Sequence, residues 1–318
     1  MSLRIAFQMD PLSEVDINAD TTFRLIEEAQ KRGHSNYVYN PETLKFDQGA
    51  IKASGSLVKV DREAHTVVCL EEQTELLLNS FDIIWLRQDP PFDMLYITTT
   101  HILDLISPNV LVVNNPFWVR NFPEKLLVLQ FPKLIPPTLI SRDLDAMKKF
   151  HNDIGEIIVK PLYGNGGEGI FKLGKGDPNL SVIFELFIKN SREPLICQKY
   201  LPQVKSGDKR IILIDGEPVG AINRVPKLGE VRSNMHVGGT PEKSIISKSD
   251  LEICKEIGPT LKENGQFLVG IDVIGNNLTE INLTSPTGIQ EIERFDGVNM
   301  AGKMWKLLEK KVASGKKN

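Results

Sequence analysis

Cysteine is scarce in this chain of 318 residues: Cys69, Cys197 and Cys254 are odd in number, far apart and without CxxC spacing. That argues against a disulfide framework or a cysteine zinc site and fits a reducing, cytoplasmic setting. Long apolar runs are missing too. None approaches the ~18 residues a bilayer span requires, and Met1 to Met9 hold no basic segment followed by an apolar stretch, so neither a span nor a leader is expected. Nor is there an excess of one charge: 38 Lys and Arg against 41 Asp and Glu leave a net charge of −3. The chain as a whole therefore does not attract nucleic acid or an anionic membrane, although local phosphate sites remain open. What is present is an ordinary globular balance, 41% apolar and 25% charged, at a length that implies two or three compact units.

The first 120 residues or so alternate strand and helix. Leu3 to Phe7 reads as a strand, and Thr21 to Arg32 as a helix with Phe23, Ile26 and Ala29 on one face, Asp20 as its cap and Gly33 as its stop. Phe81 to Leu86 is a strand, Thr99 to Ile106 a helix and Val110 to Val113 a strand, which together predict an open α/β layer. The pattern then changes. Glu156 to Lys160 and Ile170 to Leu173 read as strands around a glycine cluster, Val182 to Ile188 as a helix, and Leu195 to Tyr200 as a strand leading into a connector. Arg210–Ile214 and Val219–Ile222 flank Asp215-Gly216, a tight-turn signal. Leu251 to Asn264 is helical. Leu268–Ile274 and Leu278–Leu283 form a second hairpin, Gly297 to Val312 a closing amphipathic helix, and Ser314 to Asn318 a frayed tail.

Gly164-Asn165-Gly166-Gly167-Glu168-Gly169 matches GxGxxG, but a dinucleotide site needs a helix to start at the loop. Ile170-Phe171-Lys172-Leu173 reads as a strand instead, and no Lys-Ser or Lys-Thr follows to make a Walker A loop. A glycine hairpin remains, whose amides can approach phosphate closely, with Lys160 just before it. An exposed glycine turn beside a surface lysine is the plain alternative.

In the C-terminal hairpin, period-2 alternation places Glu280 and Asn282 on one face, with Asp272 on the partner strand. Two carboxylates and an amide oxygen suit Mg²⁺, which takes few protein ligands and completes its shell with phosphate and water. The alternative is a solvated polar face. Arg210, Arg224 and Arg232 are suited to bidentate recognition of phosphate or carboxylate. The glycine-bearing stretch from Pro226 to Pro241 is either a loop that closes over a reactive intermediate or an ordinary surface loop.

Taken in order, the motifs resemble the ATP-grasp superfamily, and within it bacterial-type glutathione synthetases. They include Gln8-Met9-Asp10-Pro11, Arg87-Gln88-Asp89-Pro90-Pro91-Phe92-Asp93, Asn114-Asn115-Pro116, Glu124-Lys125-Leu126 and Lys160-Pro161-Leu162-Tyr163-Gly164. Further on stand Gln198-Lys199-Tyr200-Leu201-Pro202, Gly207-Asp208-Lys209-Arg210, Gly270-Ile271-Asp272-Val273-Ile274-Gly275 and Thr279-Glu280-Ile281-Asn282-Leu283-Thr284-Ser285-Pro286-Thr287-Gly288. The resemblance implies an α/β, ATP-grasp fold. Residues 1–121 would form an open α/β domain, 122–201 a central subdomain with the glycine lid, and 202–313 a C-terminal subdomain with the metal site; 314–318 would be tail.

It also implies ATP-dependent ligation of γ-glutamylcysteine to glycine through an acyl phosphate, in the cytoplasm, by a homotetramer. Lys125 and Lys160 would contact the ATP phosphates, with Gly164, Asn165, Gly166, Gly167, Glu168 and Gly169 lying over them. Gln198, Lys199, Tyr200 and Leu201 would hold adenine, and Asp208 would meet the ribose or nucleotide edge. Asp272, Glu280 and Asn282 would hold Mg²⁺, with Mn²⁺ as a substitute. Arg210 and Arg224 would stabilise the transferred phosphoryl group. Arg87, Arg232, Asn234, Ser285, Pro286, Thr287 and Gly288 would place the substrates. No protein nucleophile is expected, so the cysteines would be dispensable. Three segments depart from the family's pattern: Tyr163-Gly164-Asn165 with Glu168, Phe122-Pro123, and Met235-His236-Val237. Three rivals stand beside it: an ATP-grasp ligase for another acid and amine, a dinucleotide-dependent oxidoreductase, and an inert ATP-binding module, which should lack an intact metal trio.

Overall fold

The computed structural model describes residues 2–315 except Ala64, His65, Glu71, Pro108, Val231, His236 and Val237. His236 and Val237 of the departing loop and residues 316–318 of the expected tail therefore lie outside the described residues.

Three sheets order the described residues. The first has a parallel centre in which Arg4–Gln8 lies between Ser35–Tyr39 and Ile83–Leu86, with Leu111–Val113 beyond. Parallel strands are covered on both faces and so carry unbroken apolar runs, and Ile5, Ala6 and Phe7 are fully buried. The crossover helix Thr21–Lys31 starts where Asp20 accepts from the Phe23 amide at 2.6 Å, and Gly33 takes a φ of 78° just past its end. Helix Met94–Asp104 begins earlier than the apolar pattern indicates, because Asp93 accepts from the Tyr96 amide and caps it. The alternation does not reveal the antiparallel extension of this sheet. There the long strand Ala50–Asp61 pairs with Ser35–Tyr39, Lys45–Asp47, Thr66–Cys69 and Thr74–Leu77.

The second sheet is antiparallel, in the order Phe171–Leu173, Ile157–Pro161, Leu195–Lys199, Thr138–Ser141. Helices Leu144–Ile154 and Leu180–Asn190 pack Met147 and Phe184 against its Ile157, Val159 and Cys197. The strand Phe171–Leu173 directly after the glycine loop removes the helix that a dinucleotide site requires.

The third sheet runs Thr240–Ser244, Glu217–Val225, Asp208–Ile214, Leu268–Ile274, Asn277–Asn282. Asp215 and Gly216 both take positive φ, 53° and 85°, in the tight turn between its central strands. Helix Lys248–Glu263 covers one face through Ile253, Ile257 and Leu261. The other face is divided along its length. Ile212, Ile214, Ile222 and Leu268 join the core shared with the first sheet, whereas Asp208, Arg210, Arg224 and Asp272, on the same side by period 2, continue that face into a cleft.

A helix that the sequence reading did not identify, Ile289–Asp296, precedes the expected closing helix, which runs Met300–Ala313. Gly297, at φ 66°, ends the first and Asn299 caps the second by accepting from the Gly302 amide. Both pack against helix Thr21–Lys31, so the end of the chain clamps its beginning: Trp305 Nε1 donates to Leu25 O at 2.9 Å. Asn114 adds a second tie, donating to the carbonyls of Leu268 and Leu283 and accepting from the Leu268 amide.

Candidate functional site

Sheet register assembles the charged row. Arg224 stands opposite Asp208, Arg210 opposite Asp272, and Asp272 opposite Glu280, while Asn282 faces Gly270. Arg210 grips Asp272 with two bonds, Nε to Oδ1 at 2.5 Å and Nη2 to Oδ2 at 3.0 Å. Arg224 Nη2 bridges Asp208 Oδ2 at 2.6 Å and Asp272 Oδ1 at 3.0 Å. Gly270 leaves room for this grip, since a Cβ would stand only 3.0 Å from Arg210 Cδ. Asn282 Nδ2 donates to Gly270 O and to Asp272 Oδ2, turning the amide oxygen the other way.

The electrostatics follow from this packing. Burial opposes ionisation of Asp272, but the Arg210 and Arg224 guanidiniums outweigh it and hold the carboxyl well below the usual carboxylate range. Glu280 is also lowered, with burial overcome by Lys160 and Lys125. Asp208 goes the other way: burial raises it despite Arg224, and its Oδ1 is buried without a hydrogen-bond partner. An unspent buried acceptor costs stability unless a ligand donor reaches it.

Residues from the second sheet face this row. Lys160 Nζ lies 3.0 Å from Glu280 Oε1 and bridges the two sheets. Lys125, on the short helix Glu124–Leu127, donates to the carbonyl of Gly164 in the glycine loop. Gly166, Gly167 and Gly169 take φ values of 60°, 86° and 66°, which non-glycine residues adopt at a cost. The loop with Arg232 and Asn234 rests on Gly167, where a Cβ would meet Arg232 Cδ at 3.2 Å. The two segments therefore meet above the cleft.

Two adjoining cavities result. The smaller, about 870 Å³, lies between the second and third sheets. Lys125, Lys160, Gly164 to Glu168, Gln198 to Leu201, Asp208, Arg232, Asn234, Asp272 and Glu280 line it. The larger, about 1930 Å³, reaches the first sheet, and Arg87, Arg210, Arg224, Asn282, Ser285, Pro286 and Thr287 line it. Lys125, Gly164, Asn165, Gly166, Glu168, Arg232, Asn234 and Glu280 border both, so the cavities communicate between Lys125 and Glu280 under the two loops. Arg87 is held by Thr22 Oγ1 at 3.0 Å and Pro286 O at 3.3 Å. Two of the expected residues line neither cavity. Gly169 packs on Pro161, and Gly288 caps helix Ile289–Asp296.

The sequence reading missed the apolar walls Ile158, Ile170, Val204 and Ile274 of the smaller cavity and the polar floor Asp10, Asp20, Asp89 and Glu124 of the larger. Asp10, Asp89 and Glu124 stand inside motifs already quoted, so they were open to notice. Glu124 accepts from Thr284 Oγ1 at 2.6 Å, and burial raises its carboxyl despite that bond.

The oxygen set Asp272, Glu280 and Asn282 fits a divalent hard cation. Among the described residues no cluster of three or more His, Cys, Asp and Glu could hold a metal unaided. The set supplies two carboxylates and an amide, so phosphate oxygens would complete the shell, as suits Mg²⁺. The Asp208 carboxyl lines the smaller cavity, and its buried Oδ1 retains an unused acceptor. Burial pushes the Cys197 and Cys254 thiols up to about 12, which makes both poor nucleophiles.

Comparison with known proteins places these features in a family. Residues 3–120 match the family model described as "Prokaryotic glutathione synthetase, N-terminal domain", and residues 124–297 match "Prokaryotic glutathione synthetase, ATP-grasp domain". The glutathione synthetase of Brucella melitensis biotype 1 is 55% identical over 309 residues, covering 97% of this chain and 99% of that protein. That of Pseudomonas syringae pv. tomato is 41% identical over 318 residues, covering 99% and 100%. Among solved structures, the D-cycloserine synthetase DcsG shares the fold at a TM-score of 0.68 with 15% identity, over 97% of this chain and 99% of that one. The ATP-grasp ligase PsnB, complexed with a precursor peptide variant, Mg and ADP, shares it at 0.60 with 16% identity, over 98% of each chain.

Proposed function

The chain belongs to the prokaryotic glutathione synthetase family, and from that premise we propose how its two cavities carry out the reaction. It is an ATP-dependent ligase that forms glutathione from γ-glutamylcysteine and glycine. The smaller cavity takes ATP. Ile158, Ile170, Val204 and Ile274 flank the base beside Gln198 to Leu201, Asp208 receives a ribose hydroxyl, and Lys125 and Lys160 neutralise the phosphates. The larger cavity takes the peptide, positioned by Arg87 and Ser285 to Thr287, and then glycine. The three sheets correspond to three units, with boundaries near residues 121 and 201.

A carboxylate is a poor electrophile, because an amine cannot expel oxide. Transfer of the γ-phosphoryl group to the cysteinyl carboxylate gives an acyl phosphate, from which the glycine amine displaces phosphate. The protein's task is positioning and charge neutralisation at the junction of the cavities. Arg210 and Arg224, held by Asp272 and Asp208, face the transferred group. The glycine loop and the Arg232 segment exclude water that would hydrolyse the intermediate. Asp272, Glu280 and Asn282 would hold Mg²⁺, or Mn²⁺ in its place, which would supply charge neutralisation at the phosphate oxygens. A homotetramer and a cytoplasmic setting complete the reading by family resemblance. Among the described residues no helix is long and apolar enough to cross a membrane.

The observation that carries the site assignment is the convergence of Lys125 and Glu280 at the boundary of the two cavities, with Lys160 and Asp272 beside them in the smaller one. The test is ADP release with ATP, γ-glutamylcysteine and glycine, each omitted in turn. Turnover that requires all three supports it. Equal turnover with another acid or amine from a panel would favour a ligase of different specificity.

A further inference from the structure

The glycine loop holds itself poorly. Within it one backbone bond is recorded, Glu168 N to Asn165 O at 3.1 Å, and three of its glycines sit at positive φ. Its position is therefore set from outside. Lys125 reaches the Gly164 carbonyl, Pro161 lies under Gly164 and Gly169, and Arg232 leans on Gly167. A fourth support comes from the first sheet. Tyr163, immediately before the loop, stacks on Phe92 with ring centroids 6.1 Å apart and an interplanar angle of 22°. Phe92 in turn packs on Tyr96 at 5.2 Å, and Tyr96 is fully buried in helix Met94–Asp104. Tyr163 and Phe92 are each half-buried, so the pair is seated but free to separate.

Phe92 belongs to the segment that follows strand Ile83–Leu86. Arg87, Asp89 and Pro90 of that same segment line the larger cavity. A molecule that touches this segment therefore presses on Phe92, and Phe92 bears on the residue adjoining the phosphate loop. We infer that the Phe92–Tyr163 stack is a latch that couples peptide binding in the larger cavity to loop closure over ATP in the smaller one, with Tyr163 as a positioning residue. The coupling is reciprocal: ATP under the loop tightens peptide binding by the same factor. Its ceiling is the strength of one aromatic pair, on the order of a threefold to tenfold change in affinity. The inference rests on the assignment of the cavities to ATP and peptide.

The test measures the dissociation constant of a non-hydrolysable ATP analogue with Mg²⁺ by calorimetry, with and without γ-glutamylcysteine. It uses the full-length wild type and the variants Tyr163→Ala, Phe92→Ala, both together, and Tyr163→Phe. Wild type is expected to bind the analogue several-fold more tightly when peptide is present. Tyr163→Ala and Phe92→Ala each bring that ratio towards one, the double variant goes no further than either, and Tyr163→Phe retains it. A ratio of one in wild type, an unchanged ratio in Tyr163→Ala, or losses that add in the double variant would each overturn the latch. Absence of analogue binding by wild type would overturn the cavity assignment with it. Thermal unfolding of each variant separates loss of coupling from loss of fold.

Discussion

Two dense clusters of ion pairs stand in this molecule, and they serve different ends. One is the row on the third sheet, where Arg210, Arg224, Asp208, Asp272 and Glu280 stand together and Lys160 reaches in from the second sheet. The other is the seam between helix Thr21–Lys31 and the two C-terminal helices. There Arg24 meets Glu27, Glu28 and Glu293, and Arg32 meets Glu28 and Glu309. Both are largely buried, so charge density and burial do not tell them apart. The sheet row lines two cavities and keeps a buried carboxylate oxygen without a partner. The seam is closed on itself, with Asn299 accepting from Arg24 and donating to Glu28. Unspent bonding capacity facing a cavity, rather than charge itself, marks the functional cluster.

The comparison breaks most sharply at the metal set. Glu280→Gln or Asn282→Ala is expected to lower kcat by about 10²–10³-fold or more, as loss of a preorganised charge partner does. Near-normal rates at saturating Mg²⁺ would remove these residues from the site. Next, Arg224→Ala should raise the barrier by roughly 2–4 kcal/mol, seen in kcat far more than in ATP affinity. It should also lower Tm, because Asp208 and Asp272 would be left buried with less compensation; an unchanged kcat would sink the role.

The seam should respond in the opposite sense. Arg24→Ala should cost about 2 kcal/mol of stability, or about 4–8 °C in Tm, with kcat within about twofold of wild type. A large kcat loss at full stability would erase the distinction between the clusters. The smallest effect is in pH. Burial opposes ionisation of Glu28, but Asn299, Arg24 and Arg32 outweigh it and hold its carboxyl below its ordinary 4.5. A carboxyl depressed on folding stabilises the protein above its unfolded value, and that stabilisation is lost as pH falls through the folded one. Tm should therefore decline as pH is lowered from about 4.5, and Glu28→Gln should make the decline shallower.

Much of the site was legible because β-sheet periodicity is short and strict. Glu280 and Asn282 share a face whatever the rest of the chain does, and the strand after Gly169 excluded a dinucleotide site. The partners of that row were less legible. That Arg210 spans Asp272 while Gly270 leaves it room depends on pairing two strands some 60 positions apart. The cavity floor at Asp10, Asp20, Asp89 and Glu124 is tertiary, because it forms where the first sheet meets the third. The meander around Ala50–Asp61 escaped because its strand alternates buried and half-exposed residues with little apolar contrast. Helix Ile289–Asp296 escaped because it is short, running only from Gly288 to the stop at Gly297, while the closing helix Met300–Ala313 was legible from its amphipathic pattern.

The most direct test of the distinction is metal capture. Binding of Mn²⁺ in the presence of a non-hydrolysable ATP analogue is measured by electron paramagnetic resonance in wild type, Glu280→Gln and Glu28→Gln. Loss of bound Mn²⁺ in Glu280→Gln, with wild-type binding in Glu28→Gln, is the predicted result. Equal binding by all three would contradict the assignment of the sheet row as the Mg-ATP centre.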